Sequence, residues 1–261
     1  VILPDIMKSM LLPVRRVPAT RPLRWLAQGW RDFVRAPWTG LCHGAVVAGG
    51  GLALLLISPT RWDLLAGAFS GFVLVAPILA TGLYETSRLL SRGERPGLAE
   101  ALHAWRRGTR PLVWLGALLA AAGTLWVLVS AALFALFVHV PIANLREFLR
   151  YALHAQGDLL FMLWLLAGAL GAAIVFATTA VSPPLVLGRV IDLRSAILTS
   201  VRAVSENPEA ATVWATLLML CTLLSMATLM LGFLVSIPIL GHATWHAYRD
   251  LVDADALPLR F

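Results

Sequence analysis

Charge is what this sequence has least of. Asp, Glu, Lys and Arg make up 13% of the 261 residues, while 59% are hydrophobic. A soluble domain carries roughly 25% charged residues, because a surface facing water needs charge and a surface facing lipid rejects it. The shortfall excludes an ordinary soluble fold. Cysteine is scarce too. Cys42 and Cys221 both lie in apolar runs, and there is no CxxC pair or Cys/His zinc spacing, so neither a disulfide framework nor a zinc knuckle is expected. The phosphate-binding loop, the dinucleotide fingerprint, the HExxH motif and the serine-hydrolase elbow are all missing, and no catalytic residue is assigned. No Asp, Glu, Lys or Arg lies deep inside an apolar stretch, which counts against a proton- or ion-coupled pump.

What the sequence has instead is length without charge. A spanning helix needs about 20 apolar residues to cross a hydrocarbon core of ~30 Å. Uncharged stretches run from Ala36 to Thr60, Leu64 to Tyr84, Pro111 to Val140 and Leu159 to Gly188. A fifth, Ala210 to Tyr248, is 39 residues long. As one helix it would be about 58 Å long, so two spans with a turn between Thr222 and Gly232 are expected. The fold class is therefore all-α: a polytopic membrane bundle of about six transmembrane helices.

The positive charge orients it. Eighteen of the lysines and arginines fall in the N-terminal segment, in the loops after spans two and four, and in the tail; only Arg61, Arg146 and Arg150 fall on the other side. The positive-inside rule then places both termini in the cytoplasm. It also explains the net charge of +7 without nucleic acid, which is not expected as a partner. Cys42 and Cys221 fall near opposite faces, which argues against a bridge between them. Trp38, Trp114, Trp214 and Trp245 fall near the cytoplasmic ends of spans, and Trp62 and Trp164 near the outer ends, the interfacial depth that tryptophan favours. The N-terminal VILPDIMKSMLLPVRR has no long apolar region before a small-residue cleavage site, so the first span is expected to act as its own insertion signal. Residues 1–20 read as a cytoplasmic extension, 21–252 as one six-span domain and 253–261 as a short tail.

The chain also repeats itself. GFVLVAPIL (Gly71 to Leu79) recurs as GFLVSIPIL (Gly232 to Leu240), and the register continues through Tyr84 against Trp245 and Arg88 against Arg249, at a constant offset of 161. VSPPLVLGR (Val181 to Arg189) is a looser third copy. Each pair of spans follows a stretch with helical periodicity. Leu26, Trp30, Phe33 and Val34 share one face in the first, Leu98, Ala101, Leu102 and Trp105 in the second, and Leu193, Ile197, Val201 and Val204 in the third. The architecture predicted is three parallel units, each an amphipathic surface helix followed by a transmembrane hairpin. Pro77, Pro183, Pro184 and Pro238 are expected to kink the even spans.

Three groups of residues are candidates for function. His242 and His246 share a helix face, with His43 at similar depth, and could hold haem or a metal; hydrogen bonding to neighbouring helices is the simpler reading, and no cofactor is assigned. Tyr84, Glu85, Arg88, Trp245, Tyr248 and Arg249 form a polar cluster at the cytoplasmic face, read as interfacial anchoring or as the mouth of a pathway. Gly40, Gly44, Gly67, Gly71 and Gly232 are helix-packing positions, within this chain or against a partner.

The stretches LRWLAQGWRDFVRAP, GFVLVAPILATGLYETSRLL, LAEALHAWRR, VSPPLVLGR and GHATWHAYRDL resemble an uncharacterised family of proteobacterial integral membrane proteins, domain of unknown function 2189, across about residues 20–252. The resemblance implies a six-span inner-membrane protein. Some members of that family carry the label of cytochrome c oxidase subunits, which implies an accessory or assembly role, since the several mid-membrane histidines of a catalytic oxidase subunit are missing. The expected partners are the lipid bilayer and other membrane subunits or further copies of this chain. The alternatives are a transporter or channel for a small or lipophilic molecule and, more weakly, haem or metal binding through His242 and His246.

Overall fold

The computed structural model describes residues 12–57, 79–106, 109–137, 147, 150 and 159–260. Every regular element among them is a helix: α1 (Arg21–Arg35), α2 (Pro37–Ile57), α3 (Thr81–Ser91), α4 (Leu98–Arg106), α5 (Arg110–Phe137), α6 (Leu159–Thr179), α7 (Ser182–Gly188), α8 (Leu193–Ser205), α9 (Pro208–Ala227) and α10 (Phe233–Leu251). Among the described residues four stretches are long and apolar enough to cross a bilayer: Pro37–Leu56, Arg110–Leu133, Phe161–Gly188 and Pro208–Ala227. Most of the expected second span, with Trp62, Gly67, Gly71 and Pro77, lies outside the described residues. The chain is an all-α polytopic membrane protein.

Proline and glycine set several boundaries. Pro37 and Pro208 open α2 and α9, where a missing N–H costs nothing because the first helical amides have no intrahelical acceptor. The fourth apolar stretch breaks between α6 and α7, at Ala180 and Val181, just before Pro183 and Pro184. Pro238, by contrast, is carried inside α10. α3 runs seven residues past Tyr84, the expected end of the second span, and stops at Ser91. Gly93 takes a φ of 78° there, its N–H bonding Leu90 O while Glu94 N–H bonds Leu89 O, the pair of bonds of a Schellman stop. The turn between α9 and α10 falls at 228–232, within the interval expected from the sequence.

The chain forms two compact units. The second comprises residues 49–76 and 116–175. In it Trp164 stacks on Trp126 with ring centroids 5.9 Å apart and donates its indole N–H to Ser130 Oγ at 3.0 Å. Gly168 makes room for that stack, since a Cβ there would stand 3.0 Å from the Trp126 ring.

The first unit comprises residues 1–48, 77–115 and 176–261. Its core gathers Trp25 of α1, Leu83 and Tyr84 of α3, Leu185 and Leu187 of α7, and Ala243 and Tyr248 of α10, all buried. The amphipathic helices form as expected, but their packed faces coincide only in part with the ones that periodicity indicates: Phe33 and Ala101 are buried and Leu26 and Val204 pack against the core, while other members face outward. α1 buries Trp25, Gly29, Asp32 and Phe33, while Trp30 and Val34 are 51% and 57% exposed. α4 buries Ala101 and Ala104 and exposes Leu98 and Leu102; α8 buries Ser195, Ala196, Thr199, Ser200 and Ala203 and exposes Val201. On α4 and α8 small and hydroxyl side chains face the protein while Leu98, Leu102 and Val201 face outward; α1 mixes both, burying Trp25 and Phe33 beside Gly29 and Asp32. At these contacts small residues let the helix backbones come close.

Close approach is most marked against α10. A Cβ on Gly29 would collide with Ile239 O and lie 2.8 Å from Ala243 N, and one on Gly44 would lie 2.7 Å from Leu234 Cα. Gly40 faces the Phe33 ring and Pro238. The described contacts of Gly40 and Gly44 are thus made by residues of α1 and α10. Gly232 abuts Ser225 within the α9–α10 turn.

The extension and the tail are held to this unit. Arg15 N–H bonds Leu251 O and Asp253 N–H bonds Pro13 O, pairing Val14 with Val252, and Arg15 meets Asp253 at 2.7 Å. Buried Asn207 accepts from Val17 N–H and donates to Arg15 O and Ala203 O. At the other end Val190 N–H bonds Pro258 O and Arg260 N–H bonds Gly188 O. α8 begins on Asp192, whose carboxylate accepts from Ser195 N–H at 3.0 Å. The hydrogen bonds from Ser195 hold its carboxyl below the usual value against the opposing effect of burial. Asp192→Ala is expected to cost about 1 kcal/mol, the usual worth of an N-cap, and to lower the thermal-unfolding midpoint in detergent by about 2–4 °C.

Candidate functional site

Two polar constellations lie in the first unit. One joins three helices through a line of hydrogen bonds. Asp32 of α1 accepts from Ser87 Oγ of α3 at 2.8 Å, and His246 Nε2 of α10 meets the same carboxylate oxygen at 2.8 Å. Ser87 Oγ also lies 2.8 Å from His242 Nδ1. The donors assign the tautomers. The serine has one proton and gives it to Asp32, so His242 Nδ1–H must donate to the serine oxygen, and His246 Nε2–H donates to the carboxylate. Asp32, Ser87 and His242 are all buried. Burial works to raise the Asp32 carboxyl, and the hydrogen bonds from His246 and Ser87 hold it below its ordinary value. Such a network ties α1, α3 and α10 together, because a buried carboxylate persists only when its lone pairs are met.

Sequence reasoning singled out His242 and His246 from this group. Asp32 and Ser87 escaped it, being a lone acid and a lone serine far apart in the chain. The signal available was Asp32 standing on the same α1 face as Trp25 and Gly29. His43 is engaged elsewhere: its Nδ1 lies 2.8 Å from Thr39 O, and its Nε2 stands against Gly82. The three imidazoles therefore each use one nitrogen on Ser87, Asp32 or Thr39, and among the described residues no group of three or more His, Cys, Asp or Glu has the arrangement of a metal site.

The second constellation contains the residues of the expected polar cluster. Arg88 donates to both oxygens of Glu85 at 2.6 Å, and both side chains are buried. Trp245 packs edge-on against Tyr248 with centroids 5.3 Å apart. Arg88, Trp245, Tyr248 and Arg249 line one cavity, together with Arg92 and Arg189; Tyr84 is buried in the core beside it. Asp250 turns away from this cluster and takes Arg21 at 2.5 and 3.0 Å and the Trp25 indole at 2.7 Å. Trp245 and Trp214, expected at the interface, are buried in the protein instead, Trp214 edge-on to Trp25; Trp38 and Trp114 are exposed.

Residues 64–188 match the family described as "Predicted integral membrane protein (DUF2189)". The match takes in the PILATGLYE, LAEALHAWRR and VSPPLVLG stretches and is narrower than the likeness expected from the sequence, stopping short of LRWLAQGWRDFVRAP and GHATWHAYRDL. No curated protein matches the chain, and no solved structure does. Over residues 64–188 the chain is similar to the DUF2189 family of predicted integral membrane proteins.

Proposed function

We propose that this chain is a non-enzymatic, six-span protein of a bacterial inner membrane, with both termini in the cytoplasm, serving as an accessory or assembly subunit of a larger membrane complex. The observation that carries the reading is the surface of the Phe161–Gly188 span, whose most apolar window has no buried residue. Leu163, Leu166, Leu170 and Ile174 stand exposed along it, with Ala169 and Ala173 exposed among them, and a Cβ on Gly171 would meet nothing. Large apolar side chains interleaved with small ones suit a neighbouring helix, since the small residues let its backbone come near. The family resemblance supplies the first candidate complex, a respiratory oxidase. The remaining spans are the stretch ending in α3 and α10 itself, whose 19 residues reach about 28 Å.

The test is native mass analysis and proteomics of the tagged chain extracted gently from its own membrane. Stoichiometric recovery with an oxidase or another defined complex, lost when Ala169 and Ala173 are replaced by Phe, supports the reading. Recovery as a lone monomer or homo-oligomer overturns it.

A further inference from the structure

We propose that the cavity among α3, the end of α7 and α10 is a binding site for a phosphate group, carried on an anionic lipid headgroup or free in solution. The cavity measures about 230 Å³. Its walls bring together Arg88, Arg92, Arg189 and Arg249, with Trp245 and Tyr248. The carboxylates near these arginines are Glu85, paired with Arg88, Asp255, shared by Arg189 and Arg249, Glu94, and Asp253, whose own partner is Arg15. With Asp253 taken by Arg15, the four arginines outnumber the other three carboxylates.

Arg88 carries the specific observation behind this site. Its side chain is more than nine-tenths buried, its Nε and Nη2 are given to Glu85, and its Nη1 is buried with no acceptor among the described residues. An unmet guanidinium N–H away from water is unfavourable, and an entering oxyanion restores the bond. Arg189 is already held in place, its Nη1 donating to Leu257 O at 2.7 Å and its Nη2 to Asp255 at 2.9 Å, so little side-chain freedom is lost on binding. Planar guanidinium forks approaching from several helices suit a tetrahedral anion with several acceptor oxygens. The volume lies below the roughly 300–1,000 Å³ of drug-sized ligand pockets, which suits a group of phosphate size.

The site follows from the internal repeat. Arg88 and Arg249 hold equivalent positions at the offset of 161, and Arg189 closes the third copy. The repeat thus delivers two of the four arginines in one register, and the looser copy adds Arg189 in a different one. The inference does not depend on the assembly role proposed above.

The test uses the full chain purified in a neutral detergent and titrated with inorganic phosphate and, separately, with a short-chain phosphatidylglycerol, binding being read by calorimetry and by the shift in unfolding midpoint. Saturable binding of inorganic phosphate identifies the free anion as a ligand; saturable binding of the lipid alone identifies the headgroup. In either case Arg88→Gln and Arg249→Gln are expected to weaken binding by about tenfold or more, the usual consequence of losing a charge-assisted contact, while Arg31→Gln on α1, outside the cavity, leaves it unchanged. Arg249, which is half exposed, decides the matter if Arg88→Gln unfolds the chain by stranding Glu85. No saturable binding of either probe, or equal binding by the Arg249→Gln and Arg31→Gln variants, overturns the proposal.

Discussion

Asp32→Ala is expected to be among the most damaging single substitutions in this chain, lowering the thermal-unfolding midpoint by about 6–12 °C. Removing one partner of a buried ionic pair typically costs about 3–5 kcal/mol, and this carboxylate serves both His246 and Ser87. His246 retains partial access to solvent, which places the cost near the lower figure, about 3 kcal/mol, or about 2–4 °C for each of those in a chain of this size. By contrast Arg202→Ala, which breaks a partly exposed pair with Glu206, should cost less than about 1 kcal/mol. Differential scanning fluorimetry in one detergent compares the two; equal shifts would remove the Asp32 network from its proposed place in the fold. The pH dependence has a definite sign. Asp32 is held below its ordinary value, so its contribution is fully present above the unfolded carboxylate value of about 3.9 and is lost as pH falls through the lower folded one. Asp32→Asn should remove that part of the acid sensitivity below about pH 4 while lowering stability at neutral pH.

Gly29→Leu is expected to have an effect of comparable size by a different route. The obstacle at Gly29 is backbone, Ile239 O and Ala243 N, which cannot rotate aside as a side-chain tip can. Overpacking of a tight contact costs about 1–3 kcal/mol and occasionally more, and a leucine here pushes α1 off α10. The loss of contact is then compounded, because Arg21, Trp25 and Asp32 reach α10 from the same helix. Limited trypsin digestion reads the result: cleavage at Arg24 and Arg31 should accelerate at least tenfold relative to the unsubstituted chain, by an opening free energy about 1.4 kcal/mol smaller or more. Gly171→Ala, at a position with nothing nearby, should leave digestion unchanged and gain up to about 1 kcal/mol from helix propensity. Equal digestion of the two variants would mean that α1 does not depend on its close approach to α10.

These two residues show where sequence reading succeeded and where it stopped. Periodicity identified the first amphipathic helix and took Leu26, Trp30, Phe33 and Val34 for its working face, of which Phe33 is buried and Leu26 packs against the core. The packed face also carries a glycine and an aspartate, residues that a hydrophobicity pattern scores as breaks in the stripe. Leu102 of α4 and Val201 of α8, on the expected faces, point outward. Asn207 carries no local signal either, because the partners it joins, Arg15 and Val17, lie about 190 positions away. The cluster of Arg88, Trp245, Tyr248 and Arg249, by contrast, was legible, because the repeat placed Arg88 and Arg249 in equivalent positions at the ends of two hairpins.

The sequence by itself determined the solvent and the elements. Uncharged stretches longer than 20 residues have only the bilayer to face, and in a bilayer only helices satisfy their own backbone, so an all-α membrane protein followed from composition and spacing alone. Tertiary structure decided which faces meet. The choice rests on close backbone approach at Gly29 and Gly44 and on hydrogen bonds at Asp32, Ser87 and His246. Those depend on residues from three separate parts of the chain arriving at one place, which spacing along the sequence does not encode.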